Sequence, residues 1–363
     1  AFVSIRLQVI KNSLLTFIMK RAILCTCTFL VHLHSTPEDK NITMKDSHHQ
    51  LLAQIGSMYY EQEKSQNDIA DELGLSRVKV YRLLKEAREN NIVKIVIGWP
   101  IERDNAVEKQ LCDVFKLKKA LVLSSKNTDE TVILSRLGQM TANFLEMILE
   151  DGMTLAVCLG RSTYEVINAV KPTSQVHVNV AQAMGSIPFA LQDIDSAALA
   201  RQLAQKLGGQ VLYLTSPLMA NSPEEAAVLR RQKSIELTLN ASRKADILLL
   251  GIGNLDPNNS RYVQADMISA DQIKTMEKDG TVGDIGGLFF CLDGSFHQCH
   301  INQSIIGLTM EEMKQIPNTI AVAMGPKKTR AILGALKTGV IKILSTDIET
   351  ATAVLKMENE TQK

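Results

Sequence analysis

Aromatic side chains are scarce. They make up 4% of the 363 residues, and Trp99 is the single tryptophan. That scarcity argues against an aromatic-rich β-sandwich and favours aliphatic, parallel α/β layers. Cysteine is too thin for a disulfide scaffold: six are scattered at positions 25, 27, 112, 158, 291 and 299, a spread that reads as reduced cytosolic thiols. An excess of charge is missing too. The formal net charge of +1 excludes a globally basic polyanion binder and leaves room only for a local basic face. No Walker loop, G-x-G-x-x-G fingerprint or nucleophile elbow occurs. Gly251-Ile252-Gly253 continues as Asn254-Leu255-Asp256-Pro257, which is no dinucleotide loop. His297, Cys299 and His300 find no second ligand pair at metal spacing and read as surface-loop residues. No catalytic residue, metal or cofactor is therefore assigned.

What is present is a folded, aliphatic chain. Hydrophobic residues reach 45% and charged ones 22%, and the length calls for at least two domains. Residues 1–43 stand apart as a leader. Lys20-Arg21 before the apolar run 22–31 resembles a secretory n-region and h-region, but no small-x-small site follows. The run is also too short to span a membrane. The expectation is an extraneous, poorly ordered segment, with Met44 as the natural start.

Residues 66–88 read QNDIADELGLSRVKVYRLLKEAR. Ile69, Ala70 and Leu73 mark one face of a short helix, and Gly74 supplies the left-handed corner. Ser76 caps a second helix, on which Val80, Leu83, Leu84 and Ala87 form an apolar stripe. This is the pattern of a helix-turn-helix. From Arg77 to Arg88 five basic residues face one acid, Glu86. A solvated hairpin would carry charge as well, but a segregated basic face suits a helix between two phosphate backbones. Ser76, Arg77, Lys79, Tyr81 and Arg82 are the candidates for the major groove, with Lys85 nearer phosphate. The helix is expected to end at Asn90-Asn91, with 92–97 as a strand forming a wing.

A helix over 101–116 is expected to link this module to the rest. Beyond it, aliphatic runs at 120–123, 154–159, 176–181, 210–214, 246–251, 282–290, 319–323 and 342–344 alternate with helical patterns at 130–149, 196–206, 223–243, 329–336 and 347–356. Such alternation predicts a doubly wound, mostly parallel α/β domain. Ligands of such sheets bind beyond the carboxyl ends of the strands. There the chain carries glycine turns at Gly160-Arg161-Ser162-Thr163, Met184-Gly185-Ser186, Gly251–Gly253 and Met324-Gly325-Pro326-Lys327-Lys328-Thr329. Backbone N–H groups, hydroxyls and a lysine at one edge point to an anionic, phosphorylated ligand. Asp284 stands within Gly283-Asp284-Ile285-Gly286-Gly287, either as an acceptor for sugar hydroxyls or as a turn aspartate bonded to its own backbone.

The helix-turn-helix, LAVCLGRSTYEVINAV, ADILLLGIG, GTVGDIGGLFFCLDG and VAMGPKKTRAILGALKTGVIKILSTDIETATAVL, in that order, resemble the SorC family of sugar-sensing bacterial transcription regulators. The resemblance runs from about residue 50 to 355. It implies a winged helix-turn-helix joined to an effector domain related to sugar-phosphate isomerases, assembled as dimers or tetramers. It also implies that Gly160, Arg161, Ser162 and Thr163 form the phosphate loop and that Lys328 reaches the effector's anionic end. Gln182, Asp195 and Asp284 match positions lining the sugar pocket. The chain departs from the family pattern at Arg161, where a small or acidic residue is usual, at Leu159 in place of tryptophan, and at Cys291, which replaces the aspartate of Phe-Phe-Asp.

The resulting domain plan is a leader at 1–43, a winged helix-turn-helix at 44–98, a linker helix at 99–117, an effector domain at 118–357 and a tail at 358–363. The expected protein is a cytoplasmic, homo-oligomeric regulator that binds double-stranded operator DNA under control of a phosphorylated sugar, with no membrane partner. The competing reading is an isomerase-type enzyme carrying a helix-turn-helix, for which Asp284 is the one nameable base.

Overall fold

The computed structural model describes residues 37–93, 100–125, 129–158, 160–171, 176–187, 196–258, 260–297 and 299–361. The chain divides into two units, residues 1–98 and 99–363.

In the first unit, α1 (Pro37–Tyr60) precedes α2 (Gln66–Leu73) and α3 (Arg77–Glu89). Local chemistry sets each boundary of the pair. Ser65 caps α2 in a reciprocal box, accepting from Asp68 N while Asp68 Oδ2 accepts from Ser65 N. Gly74 turns the corner at φ 64°, and Ser76 Oγ accepts from Lys79 N to start α3. Asn90 closes α3 and Asn91 turns at φ 57°. The stripe Val80, Leu83, Leu84 and Ala87 is buried with Leu52, Ile55, Ile69 and Ala70. Position 44 falls inside α1, so the leader boundary does not coincide with an element boundary. Most of the expected wing, and Trp99, lie outside the described residues.

The linker helix begins later than expected. Asp104 Oδ1 accepts from Ala106 N and Val107 N, so α4 covers Asn105–Phe115. Residues 102–104 instead run antiparallel to β1 (Lys119–Leu123), with Arg103 opposite Leu123. The buried Glu108 holds this seam: it takes two hydrogen bonds from Arg103 and one, at 2.9 Å, from Val122 N.

The second unit continues with α5 (Glu130–Ile148), β2 (Thr154–Val157), α6 (Arg161–Ala169), β3 (Val178–Gln182), α7 (Ser196–Lys206) and β4 (Gly208–Leu212). Then come α8 (Pro223–Arg230), α9 (Lys233–Arg243), β5 (Ile247–Gly251), β6 (Gly253–Asn254), α10 (Arg261–Gln264), α11 (Ala270–Lys278), β7 (Thr281–Ile285) and β8 (Leu288–Cys291). The unit closes with α12 (His300–Gln303), α13 (Met310–Gln315), β9 (Asn318–Val322), α14 (Thr329–Lys337), β10 (Ile343–Asp347) and α15 (Ile348–Thr361). Seven strands pair in parallel in the order β1-β10-β9-β5-β2-β3-β4. Alternate residues of a central strand serve opposite faces: Leu248 and Leu250 enter one core, Ile247 and Leu249 the other. This is the expected doubly wound sheet.

Two elements differ from expectation. The run 282–290 is not one strand. Gly286 and Gly287 take φ of 57° and 87°, which turns the chain back on itself. Thus β7 and β8 form an antiparallel hairpin, with β6 beside β7 in a separate three-stranded sheet. The helix expected over 223–243 is broken at Arg231-Gln232, between α8 and α9.

Candidate functional site

Strand order reverses between β2 and β5: from this pair the chain winds outward to β3 and β4 on one side and to β9 and β10 on the other. At such a switch point the loops leaving the carboxyl ends part and open a crevice. A cavity of about 510 Å³ lies there. Its walls include Gly160, Arg161 and Ser162 after β2, Gly251 to Asn254 after β5, and Met324 to Lys328 after β9. The hairpin β7–β8 adds Asp284, Gly286 and Gly287, and α10 adds Arg261, Tyr262 and Gln264.

The predicted residues separate into two groups. Gly160, Arg161, Ser162, Asp284 and Lys328 all line the cavity. Thr163 is fully buried behind it: its hydroxyl accepts from Gly160 N at 2.7 Å and faces the carbonyls of Cys158 and Gly160. It shapes the loop from behind. Gln182 is not among the lining residues, and its Oε1 accepts from Leu214 N at 2.9 Å. Asp195 lies outside the described residues. Gly185 is also a packing residue, since a Cβ there would sit 2.3 Å from Pro217 O.

Asp284 and Lys328 form the charged heart of the cavity. Tyr262 Oη donates to Asp284 Oδ2 at 2.5 Å, and Gly287 N donates to the same oxygen at 3.3 Å. Burial nevertheless holds the Asp284 carboxyl above the ordinary range, with Tyr262, Gly287, Lys328 and Arg261 pulling the other way. Lys328 Nζ donates to Ile252 O at 2.8 Å. Burial lowers the basicity of that amine; Asp284 opposes the shift, and Arg161 and Arg261 add to it. Each group thus bears a desolvation cost that an incoming ligand of the right chemistry would relieve. Cys158 closes the floor, its thiol pushed up to about 12 by burial and then by Asp284. It is inert at neutral pH.

Sequence reasoning missed Arg261 and Tyr262. The Arg261 guanidinium reaches within 3.4 Å of where a Cβ on Gly160 would stand, so it lies over the loop after β2. Gly253 is as constrained as any residue here, because a Cβ would fall 1.9 Å from Asp284 Oδ1. Among the described residues no group of three or more His, Cys, Asp and Glu is placed to hold a metal ion.

In the first unit, α3 buries its apolar stripe and exposes Ser76, Arg77, Lys79, Tyr81, Arg82 and Lys85. No acid occupies its first turn. Lys85 pairs loosely with Glu89 at 3.6 Å. Among the described residues no helix is long and apolar enough to cross a membrane.

Residues 99–356 match the family model described as "Putative sugar-binding domain". The chain is 31% identical over 328 residues to the transcriptional regulator LsrR of Klebsiella pneumoniae, covering 89% of this chain and 98% of that protein. The sugar-binding domain of a transcriptional repressor from Vibrio fischeri superposes with a TM-score of 0.65 at 31% identity, over 70% of this chain and all of that one. The full-length sorbitol operon regulator SorC from Klebsiella pneumoniae gives 0.64 at 27% identity, over 85% of this chain and 98% of its own. The chain belongs to the SorC family of sugar-binding transcriptional regulators.

Proposed function

We propose that this regulator binds operator DNA through α3 and that a phosphorylated sugar in the cavity sets its DNA affinity. The observation that carries the sugar-phosphate reading is the company Asp284 keeps. Arg161, Arg261, Lys327 and Lys328 line the same cavity as this buried carboxylate. Several cations beside the N-terminus of α6 suit an anion such as phosphate, while a carboxylate suits the hydroxyls of a sugar. A ligand made of either half alone would leave one desolvated charge unrelieved.

In this reading Lys328 and Arg261 hold the phosphate with the N–H groups of the loop after β2, and Asp284 accepts from a hydroxyl. Thr163 keeps the loop in shape, and Gln182 braces the end of β4. The DNA face is Ser76, Arg77, Lys79, Tyr81, Arg82 and Lys85. Two such helices in a homodimer, or in a tetramer built from two dimers, would read a roughly palindromic operator, in the cytoplasm where the DNA is. The effector acts by linkage, shifting DNA affinity by its differential affinity for two arrangements of the oligomer, typically about 1–3 kcal/mol.

A thermal-shift screen against phosphorylated sugars tests the ligand, and operator binding with and without the hit tests the linkage. A hit that stabilises the protein and changes operator affinity supports the reading; stabilisation only by unphosphorylated sugars contradicts it. The Tyr262–Asp284 hydrogen bond gives one observation in favour of an enzyme, since a phenol beside a carboxylate can serve proton transfer. The regulator reading predicts no turnover of pentose or hexose phosphates under conditions where they bind.

A further inference from the structure

Val78 is 60% exposed on the second residue of α3 and takes no part in the core of its unit. Its position follows from helical spacing. Val78, Tyr81, Arg82 and Lys85 stand at i, i+3, i+4 and i+7, one outward stripe opposite the buried Val80, Leu83, Leu84 and Ala87. A β-branched side chain on an exposed helical surface is a poor local choice, because Val loses rotamer freedom there and Ala, Lys or Glu would serve better. Nothing in the fold compensates for it. Places where a sequence breaks a local rule without structural gain are where function is expected.

The surroundings say what would cover this methyl pair. Arg77, Lys79 and Arg82 flank it, all exposed, with no acid in the first turn of the helix. A protein partner would meet that frame with carboxylates spread around an apolar spot. A DNA major groove meets it with phosphates on both sides and, on its floor, one apolar group, the C5-methyl of thymine.

We infer that Val78 is a specificity-determining residue that reads a thymine methyl through apolar contact while the neighbouring arginines and lysine hold the backbone and purine edges. This rests on the DNA-binding reading of α3 and goes beyond it in naming a base and a chemistry. Tyr81, 53% exposed one turn on, borders the same spot and presents a polar hydroxyl as well.

The test uses the full chain and its own selected DNA. Duplexes enriched from a random pool are resynthesised with deoxyuridine replacing one thymidine at a time, which removes the methyl and leaves pairing intact. Wild type should lose about fourfold in affinity at one thymine in each half-site, the value of one buried methyl group. Val78→Ala should keep its fold, bind the thymine duplex more weakly, and bind thymine and uracil duplexes alike. Val78→Thr, which keeps one methyl, should fall between. Equal uracil penalties in wild type and Val78→Ala, or no uracil penalty at any position in wild type, would overturn the inference and leave DNA binding by α3 standing. A pool from which the chain enriches no sequence would overturn both.

Discussion

Helix α3 and the cavity at the sheet edge, the two surfaces to which we assign DNA and effector, are built by opposite means. The exposed face of α3 is made from consecutive residues, and its geometry follows from one capped helix on a small core. The cavity gathers residues from α5, from loops after β2, β5 and β9, from the hairpin β7–β8 and from α10, separated by up to 198 positions between Glu130 and Lys328. The first surface tolerates substitution one side chain at a time, because each residue faces outward. The second does not, because its groups come from separate elements and converge on one buried carboxyl, Asp284. If the proposed assignments hold, such a regulator would change its operator readily and its effector only by coordinated change.

The largest effect expected from this contrast is in the small core. Ile69→Ala removes a fully buried side chain from the first unit and should cost it about 2–5 kcal/mol. Calorimetric melting should show an early transition and lost operator binding, while ligand binding by the second unit persists. Loss of both together would show that the two units do not fold independently.

In the cavity, Gly253→Ala drives a methyl into Asp284. It should cost about 1–3 kcal/mol in stability as the hairpin shifts and abolish ligand binding at concentrations that saturate wild type. An ordinary ligand titration curve would mean that Asp284 is not held where the site requires it.

On the helix, Arg77→Ala or Arg82→Ala should weaken operator binding by about 1–3 kcal/mol at fixed salt if the side chain grips a guanine. Melting should be unchanged, as both residues are exposed. The sharpest form of the comparison is that these variants lose function without stability, and Gly253→Ala loses both.

Asp284→Asn should trade the two. Burial raises the Asp284 carboxyl above its ordinary range, so ionising it in the folded chain costs stability. That cost is absent below about pH 3.9, the ordinary aspartate value, and grows as pH rises to the elevated folded value. The amide carries no such cost. The variant should melt a few degrees higher than wild type at pH 7, with the gain shrinking toward pH 4, while its sugar affinity falls. A variant that melts lower at pH 7 would mean the carboxylate is stabilising after all.

The two regions also differed in how much could be read ahead of the structure. Gly74, Ser76 and the stripe from Val80 to Ala87 are local signals, and each stands where spacing placed it. The parallel sheet was equally legible, because alternating runs and helices leave few topologies. Arg261 and Tyr262 were not, since they sit on a four-residue helix with no periodicity, and only the fold brings that helix over Gly160. A serine cap at Ser260 followed by an arginine was the one available signal. The hairpin at Gly286-Gly287 was missed for another reason: apolar residues on both sides imitate a single strand, and the glycine pair was the turn signal read past. Gln182 shows the limit of a strand-end rule. Its position at the carboxyl end of β3 is right for a ligand, but its side chain is engaged with Leu214 N.

The central claim, that the cavity takes a sugar by its phosphate, is tested most directly by calorimetric titration of wild type and Lys328→Ala with a phosphorylated sugar and its free counterpart. The variant should lose about ten- to a hundredfold for the phosphorylated form, the value of a hydrogen bond to a charged group, and little for the free sugar. An equal loss for both forms, or none for either, would contradict the account.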